Sequence, residues 1–148
     1  MVRRVQGFTL IELTLVLFIV VLGMGVIGSN IASGSKSSQL QAATRDLMSA
    51  LRYARGQALI AQQEIAVAIN LADNSYRISN RDKNYRLPSD IDLTLVIAQD
   101  EFKDDEIGQI RFYADGSSSG GRITLEWGDL LRRIDVNWLS GKVAFADE

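Results

Sequence analysis

The chain opens with two different hydrophobic patterns in succession. From Leu13 to Gly28 every residue is apolar or glycine apart from Thr14, and no charge falls between Glu12 and Lys36. At about 1.5 Å per residue, a helix over 8–28 would span roughly the 30 Å hydrocarbon thickness of a bilayer. Ser29 to Ser38 is rich in Ser and Gly and reads as a weak helix or hinge. Beyond it, Leu40, Ala43, Leu47, Leu51, Ala54, Ala58 and Ala61 recur at three- and four-residue spacing. Arg45, Ser49, Arg52 and Gln63 fall on the opposite side, so an amphipathic helix with a small-residue stripe is expected.

At Glu64 the period shortens to two. Ile65, Val67, Ile69 and Leu71 alternate with small or polar residues, the mark of a half-buried strand. Turn signals at Asp73-Asn74-Ser75 and Leu87-Pro88-Ser89-Asp90 separate further short runs at Tyr76–Ser79 and around Leu93, Leu95 and Ile97. Ile110 and Phe112 precede the loop Asp115-Gly116-Ser117-Ser118-Ser119-Gly120-Gly121, and Ile123, Leu125 and Trp127 follow it. Gly128-Asp129 leads to a strand with Ile134, Val136 and Trp138, and Ser140-Gly141 to a last one with Val143 and Phe145. The expected fold is α+β: a long N-terminal helix, membrane-embedded in its first half and amphipathic in its second, packed on an antiparallel β-sandwich of seven or eight strands. The expected divisions are a leader over 1–7, a transmembrane and assembly helix over 8–28, its continuation over 29–63 and a β-sandwich over 64–148.

Composition narrows the chemistry. The 148 residues carry a formal charge of −2, which points to neither nucleic acid nor acidic lipid. With no Cys there is no thiolate nucleophile, disulfide or Cys metal site. With no His, the commonest general base and the usual zinc ligands are missing. No catalytic residue, cofactor or metal is expected, and an enzyme is disfavoured.

One residue breaks the apolar pattern. Glu12 sits at the head of the bilayer-length run, where an ionised side chain at mid-membrane costs about 2.5–3.5 kcal/mol. A cleaved signal peptide with a cut near Ala32-Ser33-Gly34 gives it no place, and a plain uncleaved anchor gives it no partner. A third reading does both. The basic leader with Arg3 and Arg4 ends in Gly7, and Phe8-Thr9-Leu10-Ile11-Glu12 opens the apolar run. This resembles the leader of type IV pilin-like proteins. The resemblance implies cleavage after Gly7 by prepilin peptidase and N-methylation of the new terminal Phe8. It further implies that the freed amine pairs with the Glu12 carboxylate of a neighbouring protomer. Glu12 lies one helical turn, about 6 Å, from Phe8. The leading arginines place the N-terminus in the cytoplasm, with a single pass through the inner membrane and the remainder in the periplasm.

Two later segments are similar to the H-type minor pseudopilins of type II secretion. They are Leu51-Arg52-Tyr53-Ala54-Arg55-Gly56-Gln57-Ala58-Leu59-Ile60 and the Gly/Ser hairpin from Phe112 to Leu125. The family implies a structural role linking a tip complex to the major pseudopilin, with major and other minor pseudopilins, prepilin peptidase and inner-membrane lipid as partners. A minor type IV pilin, for pilus priming or DNA uptake, is the alternative.

Other candidate sites have plainer readings. Gly23-Met24-Gly25-Val26-Ile27-Gly28 with Asp46 fits a dinucleotide fingerprint in letters, but a bilayer-length run stands where a short strand is needed. The Ser/Gly loop lacks the Lys and helix of a phosphate loop and reads as a mobile hairpin tip. The acidic run over 100–106 lacks an EF-hand pattern and reads as a solvated loop; calcium there stays undecided. Nothing in the sequence sets two of Asp115, Glu126, Asp129 and Asp135 across a cleft for glycoside chemistry. Arg77, Arg81, Lys83 and Arg86 form the only basic cluster, interrupted by Asp82, and no nucleic-acid partner is expected.

Overall fold

The computed structural model describes residues 9–104 and 106–146, including their side chains except at 22–35 and 104. The chain divides into two compact units at Lys36/Ser37, and both sheets belong to the second. Helix α1 runs Leu10–Ala61, so the Ser/Gly-rich stretch expected to be a weak helix or hinge has helical backbone throughout.

In the first unit, the apolar side chains from Leu10 to Val21 are exposed, with Leu10 at 83% and Phe18 at 62%. Among the described residues no helix is long and apolar enough to cross a membrane. The apolar run continues past Val21 into positions whose side chains are not described.

In the second unit α1 buries the expected stripe: Leu40, Ala43, Leu47, Leu51, Ala54 and Ala58. Thr44 and Met48 join it at one-turn spacing, and the Thr44 hydroxyl is satisfied by donating to the Leu40 carbonyl at 2.7 Å. Ala61, expected on the stripe, is exposed because the helix stops there. Gln62 takes a left-handed φ of 51°, and its side-chain amide donates to the Leu59 carbonyl at 2.8 Å, filling one of the acceptors a helix end leaves open.

Nine strands follow: β1 Ile65–Asn70, β2 Ser75–Ile78, β3 Asn84–Arg86, β4 Asp92–Val96, β5 Phe102–Asp104, β6 Ile107–Phe112, β7 Gly121–Trp127, β8 Leu130–Val136 and β9 Val143–Phe145. One sheet has the order β3-β2-β1-β6-β5 and the other β4-β7-β8-β9, with all pairings antiparallel. Register follows the hydrophobic alternation. Ile65 faces Phe112 and Val67 faces Ile110 in the first sheet, while Leu95, Ile123 and Ile134 form a row in the second. These residues and the helix stripe make one core cluster. The sheets approach closely at Gly108 of β6, where a Cβ would collide with the side chains of Leu95 and Ile97.

Seven or eight strands were expected. The additional β3 and β5 are three residues each and mostly polar, so they carry no alternation to read. Trp138, expected on a strand with Val136, lies beyond the end of β8 and is exposed. The acidic run is not simply a solvated loop: it contains a 3₁₀ turn, Gln99–Glu101, and then β5.

Candidate assembly site

Gly7 and Phe8, the expected cleavage and methylation positions, lie outside the described residues. Glu12 is described. It is exposed in the first turn of α1, and among the described residues its carboxylate has no ion-pair partner. Thr9 starts the helix: its carbonyl and hydroxyl both accept from the Glu12 N–H, at 3.1 and 3.3 Å. The carboxylate is not needed for that capping. Thr14, the other polar group in this stretch, donates its hydroxyl to the Ile11 carbonyl at 2.9 Å. That bond lets a hydroxyl sit in an apolar face without an open donor.

The two H-type segments meet in space. Ala54 and Ala58 are fully buried, which brings α1 close to the sheets. Arg55, between them in sequence, donates its Nε to the Gly116 carbonyl at 3.2 Å, and Arg52 donates to the Val143 carbonyl at 3.2 Å. Gly141 has φ 61°, and a Cβ there would run into the Gly116 carbonyl and the Arg55 side chain. Helix end, Gly/Ser hairpin and the turn before β9 are therefore one packed unit.

That packing corrects the reading of the Ser/Gly loop as a mobile tip. Ser118 is buried. Its N–H donates to the Trp138 carbonyl at 2.8 Å, and its hydroxyl donates to the Asn137 carbonyl at 3.1 Å. Ser119 exchanges bonds with Arg111, its N–H donating to the Arg111 carbonyl and its hydroxyl accepting the Arg111 N–H. The facing turn is rigid as well, because the Asn137 side chain accepts from the N–H groups of Leu139 and Ser140. It presents Trp138, 66% exposed, and Leu139 to solvent. Beyond the presence of both segments, nothing along the chain signals the Arg55–Gly116–Gly141 contact; Gly141 reads only as a turn residue.

The remaining candidates are not brought together. Asp115 accepts from the Ser117 hydroxyl and N–H, and those bonds hold its carboxyl below the usual range. Asp135 is paired bidentately with Arg122 at 2.6 and 2.8 Å, and the hydrogen bonds from that guanidinium likewise lower it. Neither is poised as a general acid. Glu126 stands opposite Asp92 on the neighbouring strand, and Asp129 sits in the turn before β8. Among the described residues no three His, Cys, Asp or Glu side chains could hold a metal ion. Glu101 of the acidic run is instead bound by Arg111 at 2.7 Å, and the same guanidinium reaches Glu64 at 2.9 Å. Asp46 lies within α1, and helix precedes the Gly23–Gly28 run, so the strand-turn-helix of a dinucleotide site is missing. Tyr76 stacks on Tyr85 at 5.1 Å, and burial, followed by the nearby Asp46 charge, pushes its hydroxyl up to about 12.

A family model described as type II transport protein GspH matches residues 43–141, from the buried helix stripe to the Gly141 turn. The chain belongs to the GspH family. This H-type membership agrees with the resemblance carried by its helix end and Gly/Ser hairpin. Type II secretion system protein H of Xanthomonas campestris pv. campestris is 28% identical over 141 residues, covering 95% of this GspH-family chain and 83% of that protein. The minor pseudopilin EpsH of Vibrio cholerae has the same fold, with a TM-score of 0.58 at 10% identity, over 73% of this chain and 96% of that one. The type IV minor pilin FimU of Pseudomonas aeruginosa matches equally well, with a TM-score of 0.59 at 13% identity, over 76% and 91%. At such identities the structural likeness speaks for the fold alone.

Proposed function

We propose that this chain is a structural minor pseudopilin of the type II secretion pseudopilus and links the tip complex to the major pseudopilin. The observation that carries the reading is the GspH family match over 43–141, which is two thirds of the chain. Glu12, on a helix whose apolar side chains are exposed, supports it further. In this reading prepilin peptidase cuts between Gly7 and Phe8, and Phe8 is N-methylated. The helix over 8–28 waits in the inner-membrane lipid with its N-terminus cytoplasmic, and the domain beyond it lies in the periplasm. Glu12 then meets the terminal amine of a neighbouring pseudopilin, and the helices slide into register. At about 4 Å and an effective dielectric of about 20, that attraction is roughly 4 kcal/mol. It is comparable with the cost of holding the carboxylate in lipid, so the pair selects register more than it adds net stability. The chain catalyses nothing; it transmits filament growth to the other pseudopilins it contacts.

The fold likeness to FimU keeps a minor type IV pilin as the second reading. Deleting the chain separates the two. Loss of export of folded type II cargo with pili and DNA uptake intact is the expected result. Loss of pili or of DNA uptake with normal export favours the alternative.

A further inference from the structure

Where α1 stops, the second unit leaves a set of large apolar side chains exposed. Leu59 and Ile60 lie on the last turn of the helix, Tyr113 at the start of the Gly/Ser hairpin, Trp138 and Leu139 on the turn after β8, and Val96 at the end of β4. They belong to one end of the fold. The Leu59 side chain lies 3.1 Å from where a Cβ on Gly116 would stand, and the Gly116 carbonyl sits against Gly141. The turn that carries Trp138 is closed twice: the Asn137 N–H donates to the Lys142 carbonyl at 3.0 Å, and the Gly141 N–H to the Asn137 carbonyl at 2.8 Å. Gly120, with φ 73°, backs that turn, and a Cβ there would collide with the Cβ of Trp138. The backbone under Trp138 is fixed while its ring stays in water.

Beside Trp138 runs a groove of about 640 Å³. Its lining includes a row of paired residues on neighbouring strands, Val96, Arg122, Asp135 and Ala144, together with Trp138 and Lys142. Arg122 and Asp135 satisfy each other. Lys142 is exposed and makes no ion pair among the described residues, so the groove carries one cation in surplus.

A pre-set, exposed tryptophan among apolar neighbours with few free charges has the composition of an interface centre. We infer that this end of the domain docks a different pseudopilin, which sets an apolar side chain between Val96 and Trp138 and a carboxylate against Lys142. The inference rests on the pseudopilin reading, in which the chain stands between unlike neighbours, and adds to it the surface and the chemistry of the partner. A second copy of this chain fits poorly. Its acids here are taken, Asp135 by Arg122 and Asp115 by Ser117, so Lys142 would meet no free carboxylate. An anionic membrane surface fits poorly too, because such binding grows with clustered cations and the groove has a single one to spare.

The contact is testable with the full-length chain in cells that hold the other pseudopilins. The photo-cross-linking residue benzoylphenylalanine is placed at Leu139 or, in a separate chain, at Val96, and the adducts are identified by mass spectrometry. An adduct with another pseudopilin, through a peptide that contains Asp or Glu, is the expected result. Trp138→Ala in the same chain should cut its yield by about tenfold or more, while the melting temperature of the purified chain stays put because the ring is exposed. Lys142→Glu should lower the yield several-fold. No adduct from either position, or adducts only with lipid or with a second copy, from a chain that still supports secretion overturns the contact and leaves the pseudopilin reading intact. A yield unchanged by Trp138→Ala or by Lys142→Glu also overturns it. Secretion that continues when the chain is deleted overturns the reading beneath it instead.

Discussion

Glu12→Ala, supplied as the only copy, is expected to be processed normally and yet fail to enter the filament. Thr9 caps the helix through the Glu12 backbone N–H, which alanine keeps, so the start of α1 survives. Alanine is also the better helix former, and losing the carboxylate makes insertion into lipid easier. What disappears is the partner of a terminal amine. Removing one member of a buried ion pair costs about 3–5 kcal/mol, on the order of a hundredfold or more in association. Co-purification with the other pseudopilins and secretion of cargo should both fall by that order, while the melting temperature of the domain beyond Ser37 stays put. Glu12→Gln, which keeps the shape and loses the charge, should fail in the same way. Normal secretion with either variant would mean that the carboxylate has no part in assembly.

Phe112→Ala is expected to have the largest effect on the fold itself. Phe112 is fully buried at the end of β6, faces Ile65 across the ladder, and bridges to Ser118 in the Gly/Ser hairpin. Its removal opens a cavity in the core shared by helix and sheets, and such a truncation costs about 3–5 kcal/mol. For a domain of this size, a loss of roughly 10–20 °C in melting temperature follows. The hairpin should loosen first, because Ser119 is tied to Arg111 next to Phe112 on β6 and Ser118 to the turn that follows β8. A shift of only a few degrees would show that the core closes over the gap and that Phe112 does not anchor the hairpin.

The sequence made the fold legible where periodicity was strong. The α1 stripe from Leu40 to Ala58 and the alternation in β1 are both visible in it, because each must bury one face and the residue types say which. It failed where structure comes from pairing rather than burial. β3 and β5 are charged edges that exist because β2 and β6 offer them a ladder. Composition suggested a hinge at Ser29–Ser38, yet neighbouring helix on both sides carries the backbone through. The Ser/Gly hairpin looked mobile because its residues are small. In the structure smallness serves close packing, with Gly116, Gly141 and Arg55 in mutual contact although they lie far apart along the chain. Glu12 stood out from the sequence because a charge in an apolar run violates a simple transfer cost.

The central claim is that Glu12 is matched by a terminus that cleavage at Gly7/Phe8 creates. Intact mass of the protein purified from its own membranes tests it directly. A mass lacking Met1 to Gly7 and carrying one added methyl group is the expected result. A chain that still begins at Met1, or one that begins near Ser33, would contradict it.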